Sequence, residues 1–271
     1  MTFYVLRSPK WPSESLTDFV EDEGFSVGDA PKCSECGRYI GMMKWLPPYR
    51  VELDCWGPRF GDLAFGGEDI LVSERFKVLY HEQGLSGLLG FDPVEICRLK
   101  RRGRLQGRLP QYYRVHVKLG EATIDQHASG FVWGEPPTCS VCVEGQTIKR
   151  WERIVIAPGT WSGEDVCRPR GLFLYLTTQR FKEFCERFNI TNATFVPALE
   201  CEHDAYPWEN TARAAELAKL SLSDDLLEKV MPSGETWRYY VPRNELVAIG
   251  ADGSIRSMCR PVEGRELFDR L

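Results

Sequence analysis

Short apolar runs separated by turn residues dominate the first 205 positions, and they come in two similar sets. Residues 49–53 and 154–157 read as strands, and residues 69–72 and 172–176 as shorter, more continuously apolar ones. Ser73 and Thr177 then stand where a helix N-cap belongs. Behind them Phe76, Leu79 and Tyr80, and again Phe181, Phe184 and Cys185, fall at helical spacing. Gly84 and Gly87, or Asn189 and Asn192, end the helix. A last strand carries Phe91-Asp92-Pro93-Val94 or Phe195-Val196-Pro197, with proline marking an edge or an end.

The register of the two sets is nearly constant. Cys33-Ser34-Glu35-Cys36 recurs as Cys139-Ser140-Val141-Cys142 at an offset of 106. Trp56 and Trp161, then Arg75-Phe76-Lys77 and Arg180-Phe181-Lys182, recur at 105, and Phe91 and Phe195 at 104. Gly67-Glu68-Asp69 also matches Gly163-Glu164-Asp165, but at 96, so either a loop has shifted or the match is accidental. One repeat of this length means a duplicated unit and not a solenoid. The expectation is an α+β domain over residues 1–205, with halves at about 1–97 and 112–205 of strands and one helix each.

Between the halves, residues 98–111 hold Arg98, Lys100, Arg101, Arg102, Arg104 and Arg108 and read as a solvated surface loop. Residues 112–119 alternate as a strand. From 206 to 271 the pattern has no counterpart in the repeat. Residues 208–229 read as a helix offering Leu217, Leu220, Leu222 and Leu226 to a core. Residues 237–241, 246–249 and 255–259 read as a meander, with Asp252-Gly253 a strong hairpin signal.

Composition changes this picture little. The 271 residues carry 34 basic and 39 acidic side chains, a net charge of −5, which argues against a dedicated nucleic-acid binder. There is no apolar run long enough for a membrane helix, no basic-then-apolar leader and no glycine at position 2, so a cytoplasmic protein is expected. No GxSxG, P-loop, HExxH or strand-borne GxGxxG occurs, so no enzyme is expected. The paired acids Glu68-Asp69 and Glu164-Asp165 suit loops or caps better than catalysis.

The ten cysteines do change it. In a reducing compartment they are thiols or metal ligands rather than disulfides. Two CxxC knuckles supply the four thiolates of a tetrahedral zinc site: Cys33, Cys36, Cys139 and Cys142. The interval from Cys36 to Cys139 is far longer than a zinc ribbon uses. A duplication resolves this, because equivalent knuckles of two related halves meet at a pseudo-twofold axis. Four thiolates leave no open coordination position, so the zinc is expected to be structural. Cys185 is expected in the core, and so by default are Cys55, Cys97, Cys167, Cys201 and Cys259. Cys201 and His203 lack further ligands nearby for a second metal site.

Cys33-Ser-Glu-Cys-Gly37, residues 68–76 and 90–95, Cys139-Ser-Val-Cys142 and residues 158–165 together resemble the double-CXXCG motif family, over roughly residues 1–205. That family includes immunity proteins of myxobacterial swarm-inhibition toxin systems. One departure is Val143, where the motif has glycine. The resemblance implies a cytoplasmic protein that binds and neutralises a cognate toxin. The alternative is a zinc-ribbon nucleic-acid-binding or regulatory protein using Arg98–Arg108. The Trp237 and Asp252-Gly253 hairpins bear a fainter likeness to hairpins of contact-dependent toxin domains, and this carries no role.

Overall fold

The computed structural model describes residues 1–9, 13, 15–66, 69–102, 105–204, 209–259 and 264–271. Gly67, Glu68, Arg104, Pro207 and Trp208 lie outside the described residues. The chain forms two compact units, Met1–His203 and Asp204–Leu271, mostly of strands, with four helices among the described residues.

The first unit opens with β1 (Phe3–Arg7), β2 (Thr17–Glu21) and the two-residue strands β3 (Ser26–Val27) and β4 (Trp45–Leu46). Then come β5 (Arg50–Trp56), β6 (Leu63–Gly66), β7 (Asp69–Ser73), helix α1 (Glu74–Glu82), β8 (Leu88–Pro93) and β9 (Glu95–Arg102). The chain continues through β10 (Tyr112–Val117), β11 (Leu119–Thr123), β12 (Val132–Glu135), β13 (Gln146–Trp151) and β14 (Val166–Arg170). It ends with β15 (Tyr175–Thr178), helix α2 (Gln179–Arg187), β16 (Thr194–Pro197) and β17 (His203–Asp204).

Two sheets carry the architecture. The larger runs β8-β10-β7-β6-β2-β5-β9 and the smaller β16-β1-β15-β14-β11. Five strands of one match the five of the other in order and in direction. β2 runs parallel to β6, as β11 does to β14, and the remaining shared pairs are antiparallel. The opening strands are exchanged. β1 lies between β15 and β16, with Phe3 opposite Thr178 and Tyr4 opposite Pro197. β10 lies between β7 and β8, with Tyr112 opposite Ser73 and Tyr113 opposite Pro93. The strand that begins each stretch of chain is therefore an interior strand of the other stretch's sheet.

The helices begin where polar caps free them from the strands. The Ser73 hydroxyl accepts from the Phe76 amide at 3.1 Å, and the Thr178 hydroxyl from the Phe181 amide at 3.3 Å. The cap is thus Thr178, one residue later than expected, because the Thr177 hydroxyl is turned to the Tyr4 carbonyl, to which it donates at 3.2 Å. Phe76, Tyr80, Phe181 and Phe184 bury their rings in one cluster with Ile70, Val115 and Val166, which joins both sheets. The Phe76 and Phe181 centroids lie 6.3 Å apart. Burying each such ring contributes about 1.5–3 kcal/mol.

A network of hydrogen bonds repeats around this contact. Asp62 accepts from the Ser73 hydroxyl at 2.8 Å, Arg75 at 2.7 Å and the Thr191 amide at 3.1 Å. Asp165 accepts from the Thr178 hydroxyl at 3.2 Å, Arg180 at 2.9 Å and the Ser86 amide at 3.0 Å. Arg75 also donates to the Phe188 carbonyl and Arg180 to that of Gln83, so each arginine binds the end of the other helix. Gly87 belongs to the same contact: its φ is +106°, and a Cβ there would lie 1.7 Å from the Val166 carbonyl oxygen. The counterpart of Asp165 is accordingly Asp62; Asp69 instead binds Arg114 at 2.9 Å, so the 96-residue match is accidental.

Several boundaries differ from expectation. Residues 98–102 extend edge strand β9, because β5 offers them a parallel partner from Glu52↔Arg98 to Trp56↔Arg102. Residues 154–157 form only the isolated bridge Ile124↔Ile156, since Pro158-Gly159 turns the chain away. Residues 172–174 precede β15 rather than belonging to it.

In the second unit, helix α3 (Glu209–Lys219) packs on a four-stranded meander of β18 (Leu226–Val230), β19 (Thr236–Tyr240), β20 (Glu245–Ile249) and β21 (Ile255–Cys259). Helix α4 (Arg265–Arg270) closes the chain. The expected long helix is short: Arg238 caps its end by donating to the Leu217 and Ala218 carbonyls. Leu217 and Leu226 are buried, but Leu220 and Leu222 are exposed. β18 and α4 are unanticipated. β18 carries Leu226 and Leu227, which the helical reading absorbed, and α4 buries Phe268 against Tyr239.

Candidate metal centre

Each knuckle is a tight turn built on backbone amides. In the first, Gly37 donates to the Cys33 carbonyl at 3.0 Å, and Cys33 to that of Arg38 at 2.8 Å. In the second, Val143 donates to the Cys139 carbonyl at 3.1 Å. Gln126 and Arg170 fix this second turn by donating to the Val143 and Val141 carbonyls at 2.6 and 3.3 Å. The residue after each CxxC is left-handed: φ is +71° at Gly37 and +50° at Val143. That is free for glycine and strained for a β-branched side chain.

The fold brings the knuckles together. The sulfurs of Cys33, Cys36, Cys139 and Cys142 all lie within 4.8 Å of one another. Cys33 Sγ is 3.9 Å from Cys139 Sγ, and Cys36 Sγ 3.7 Å from Cys142 Sγ. A disulfide would need about 2.0 Å. Four sulfurs at about 2.3 Å from one cation stand about 3.8 Å apart at the corners of a tetrahedron. The spacing suits a shared metal ion and excludes a bond between the sulfurs.

The leading thiol of each knuckle is tuned alike. Amide hydrogen bonds from Cys36 and Glu35 lower the pKa of Cys33, and those from Cys142 and Val141 bring Cys139 down to about 7. Burial pushes Cys142 up to about 12. In a low-dielectric setting without a cation, a thiolate there is unfavourable; a bound cation reverses that balance.

Among the described residues, no other group gathers three or more metal-ligand side chains. Cys201 accepts from Arg7 at 3.2 Å, while His203 stacks on Trp151 with centroids 4.1 Å apart. Cys55, Cys167, Cys185 and Cys201 are buried as expected, but Cys97 is exposed on edge strand β9. The Cys259 side chain lies outside the described residues. In the basic stretch, Arg98 pairs with Glu52 at 3.3 Å and Lys100 pairs with the same carboxylate. No helix is long and apolar enough to cross a membrane.

Sequence reasoning passed over one charged cluster. Arg114, only 2% exposed, binds Asp69 at 2.9 Å, contacts His116 and lies over the rings of Trp45 and Tyr49. An arginine on the alternating stretch of β10 was its only trace. No family model matches the chain, and no curated protein matches it.

Proposed function

We propose that residues 1–205 are a duplicated unit closed by a structural four-cysteine zinc centre, and that the protein acts by binding a protein partner. The observation that carries this reading is the tetrahedral spacing of four sulfurs supplied by two equivalent knuckles. The matching strand order and the reciprocal Asp62 and Asp165 networks support the duplication. Zinc is preferred on donor chemistry, since four thiolates suit it and leave no position for a reacting ligand. The ion supplies fixed charge and cross-linking there, and the chain's contribution is to hold the sulfurs in place.

The resemblance to double-CXXCG proteins directs the partner reading toward neutralisation of a cognate toxin in the cytoplasm. Co-expression with the tagged product of the adjacent upstream gene tests it. A stable complex that restores growth is the expected result; a folded, metal-loaded protein that neither binds nor rescues rejects it. The competing nucleic-acid reading rests on Arg98–Arg108. It predicts a salt-dependent DNA or RNA shift that charge reversal at Arg101 abolishes.

A further inference from the structure

Beside the first knuckle lies a cavity of about 210 Å³. Among the described residues its charged lining is Lys44, Arg114 and Arg168 against one acid, Asp69, while burial and the neighbouring Arg114 hold His116 toward its neutral form. Asp69 is already held by Arg114 at 2.9 Å. Arg114 Nε is buried and has no hydrogen-bond partner among the described residues. Arg168 is set in place by stacking on Phe173, 4.7 Å from the ring centre. The cavity is a local cationic site on a chain of net charge −5, so overall charge does not create it.

Its rim is apolar and exposed. Met42 and Met43 line this cavity and also a second, more open one of about 700 Å³ that includes Tyr39. Tyr39, Met42 and Met43 are 60%, 61% and 58% exposed. Adjacent large apolar side chains left in water mark an interaction surface. Methionine suits it because its flexible thioether repacks around varied partners.

We propose that this surface is the partner-docking site, and that its occupant is a protein segment presenting a carboxylate beside a large apolar side chain. The carboxylate enters the cavity toward Lys44, Arg114 and Arg168. The apolar side chain packs against Met42, Met43 and Tyr39. The apolar contact supplies affinity and the charge selects the partner. The proposal rests on the partner-binding reading above and specifies its surface.

The test uses the metal-loaded full chain and a set of fluorescent octapeptides. Each pairs one Asp or Glu with one Phe, Trp or Leu at spacings of zero to three, and each has an Asn or Gln twin. Acid-bearing peptides are expected to bind at least ten-fold more tightly than their twins. Lys44→Glu and Met43→Asp should each weaken binding by ten-fold or more, while Lys149→Glu, a charge reversal at a residue that lines neither cavity, leaves it unchanged. Both test positions are exposed, so folding is retained, and circular dichroism and metal content check this. Absence of binding, or binding indifferent to the acid or to these substitutions, overturns the proposal. The co-expressed toxin separates the two readings. A toxin complex that survives Lys44→Glu and Met43→Asp sinks the docking site and leaves immunity standing. Acid-selective peptide binding without a toxin complex does the reverse.

Discussion

Five strands of the larger sheet match the five of the smaller, and the larger adds β5 and β9 at one edge. Near the contact between α1 and α2 the likeness extends to individual atoms. Asp62 and Asp165 each bind a helix cap, an arginine and an amide from the other half. Away from that contact it fades. Arg50–Trp56 is an interior strand seven residues long, whereas its counterpart around Ile156 makes a single bridge. A residue at the junction is constrained by two packed surfaces, and one at the periphery by fewer.

The knuckles test this comparison most severely. Cys36→Ser and Cys139→Ser should each lose the metal, removing a share of the about 10–16 kcal/mol that structural zinc supplies on binding. Metal content by mass spectrometry and a melting curve would show it. Equal losses from the two halves fit one shared centre; a variant that keeps its metal and its wild-type melt rejects it.

The aspartates come next. Asp62→Ala and Asp165→Ala should each cost about 1–3 kcal/mol, since each leaves one buried cap hydroxyl, Ser73 or Thr178, without its acceptor, while the half-exposed Arg75 and Arg180 turn to water. Urea denaturation measures both, and a large cost at only one position would break the equivalence of the halves. Smaller is the difference at the knuckle ends. Gly37→Val should cost about 1–2 kcal/mol for a β-branched residue at positive φ. Val143→Gly should gain about 0.5–1 kcal/mol, part of the relief being offset by the freer unfolded chain. Destabilisation by Val143→Gly would mean that the valine side chain contributes more by packing than it loses in strain.

The smallest effect concerns Glu164, whose counterpart position is Gly61. Burial raises its carboxyl, but Lys118 and Ser162 outweigh this and hold it below its ordinary value. A carboxyl depressed in the folded state adds stability above its unfolded pKa and loses it as pH falls through the lower folded value. Lys118 is half exposed, so solvent screens the pair and the effect stays small. Glu164→Gln should flatten the stability profile below pH ~4.5, and an unchanged profile would remove the ion pair from the account.

How much was legible follows from which interactions are local. The helices at Phe76 and Phe181 were readable because apolar spacing and a capping hydroxyl act within a few residues. The strand at 98–102 was not, because only β5, far earlier in the chain, makes that arginine-rich run a strand. Leu226 looked helical for the same reason: its partner Tyr240 lies on a later strand.

The two knuckles, the periodicity of the helices and the nearly constant offset between their landmarks can be read along the chain. Those are properties of residue type and spacing. It took folding to settle that β1 and β10 change places, that Asp62 rather than Asp69 answers Asp165, and that Lys44, Arg114 and Arg168 line one cavity. Strand partners and charge clusters depend on contacts between distant residues, and no local pattern records which of several equally apolar strands lies alongside another.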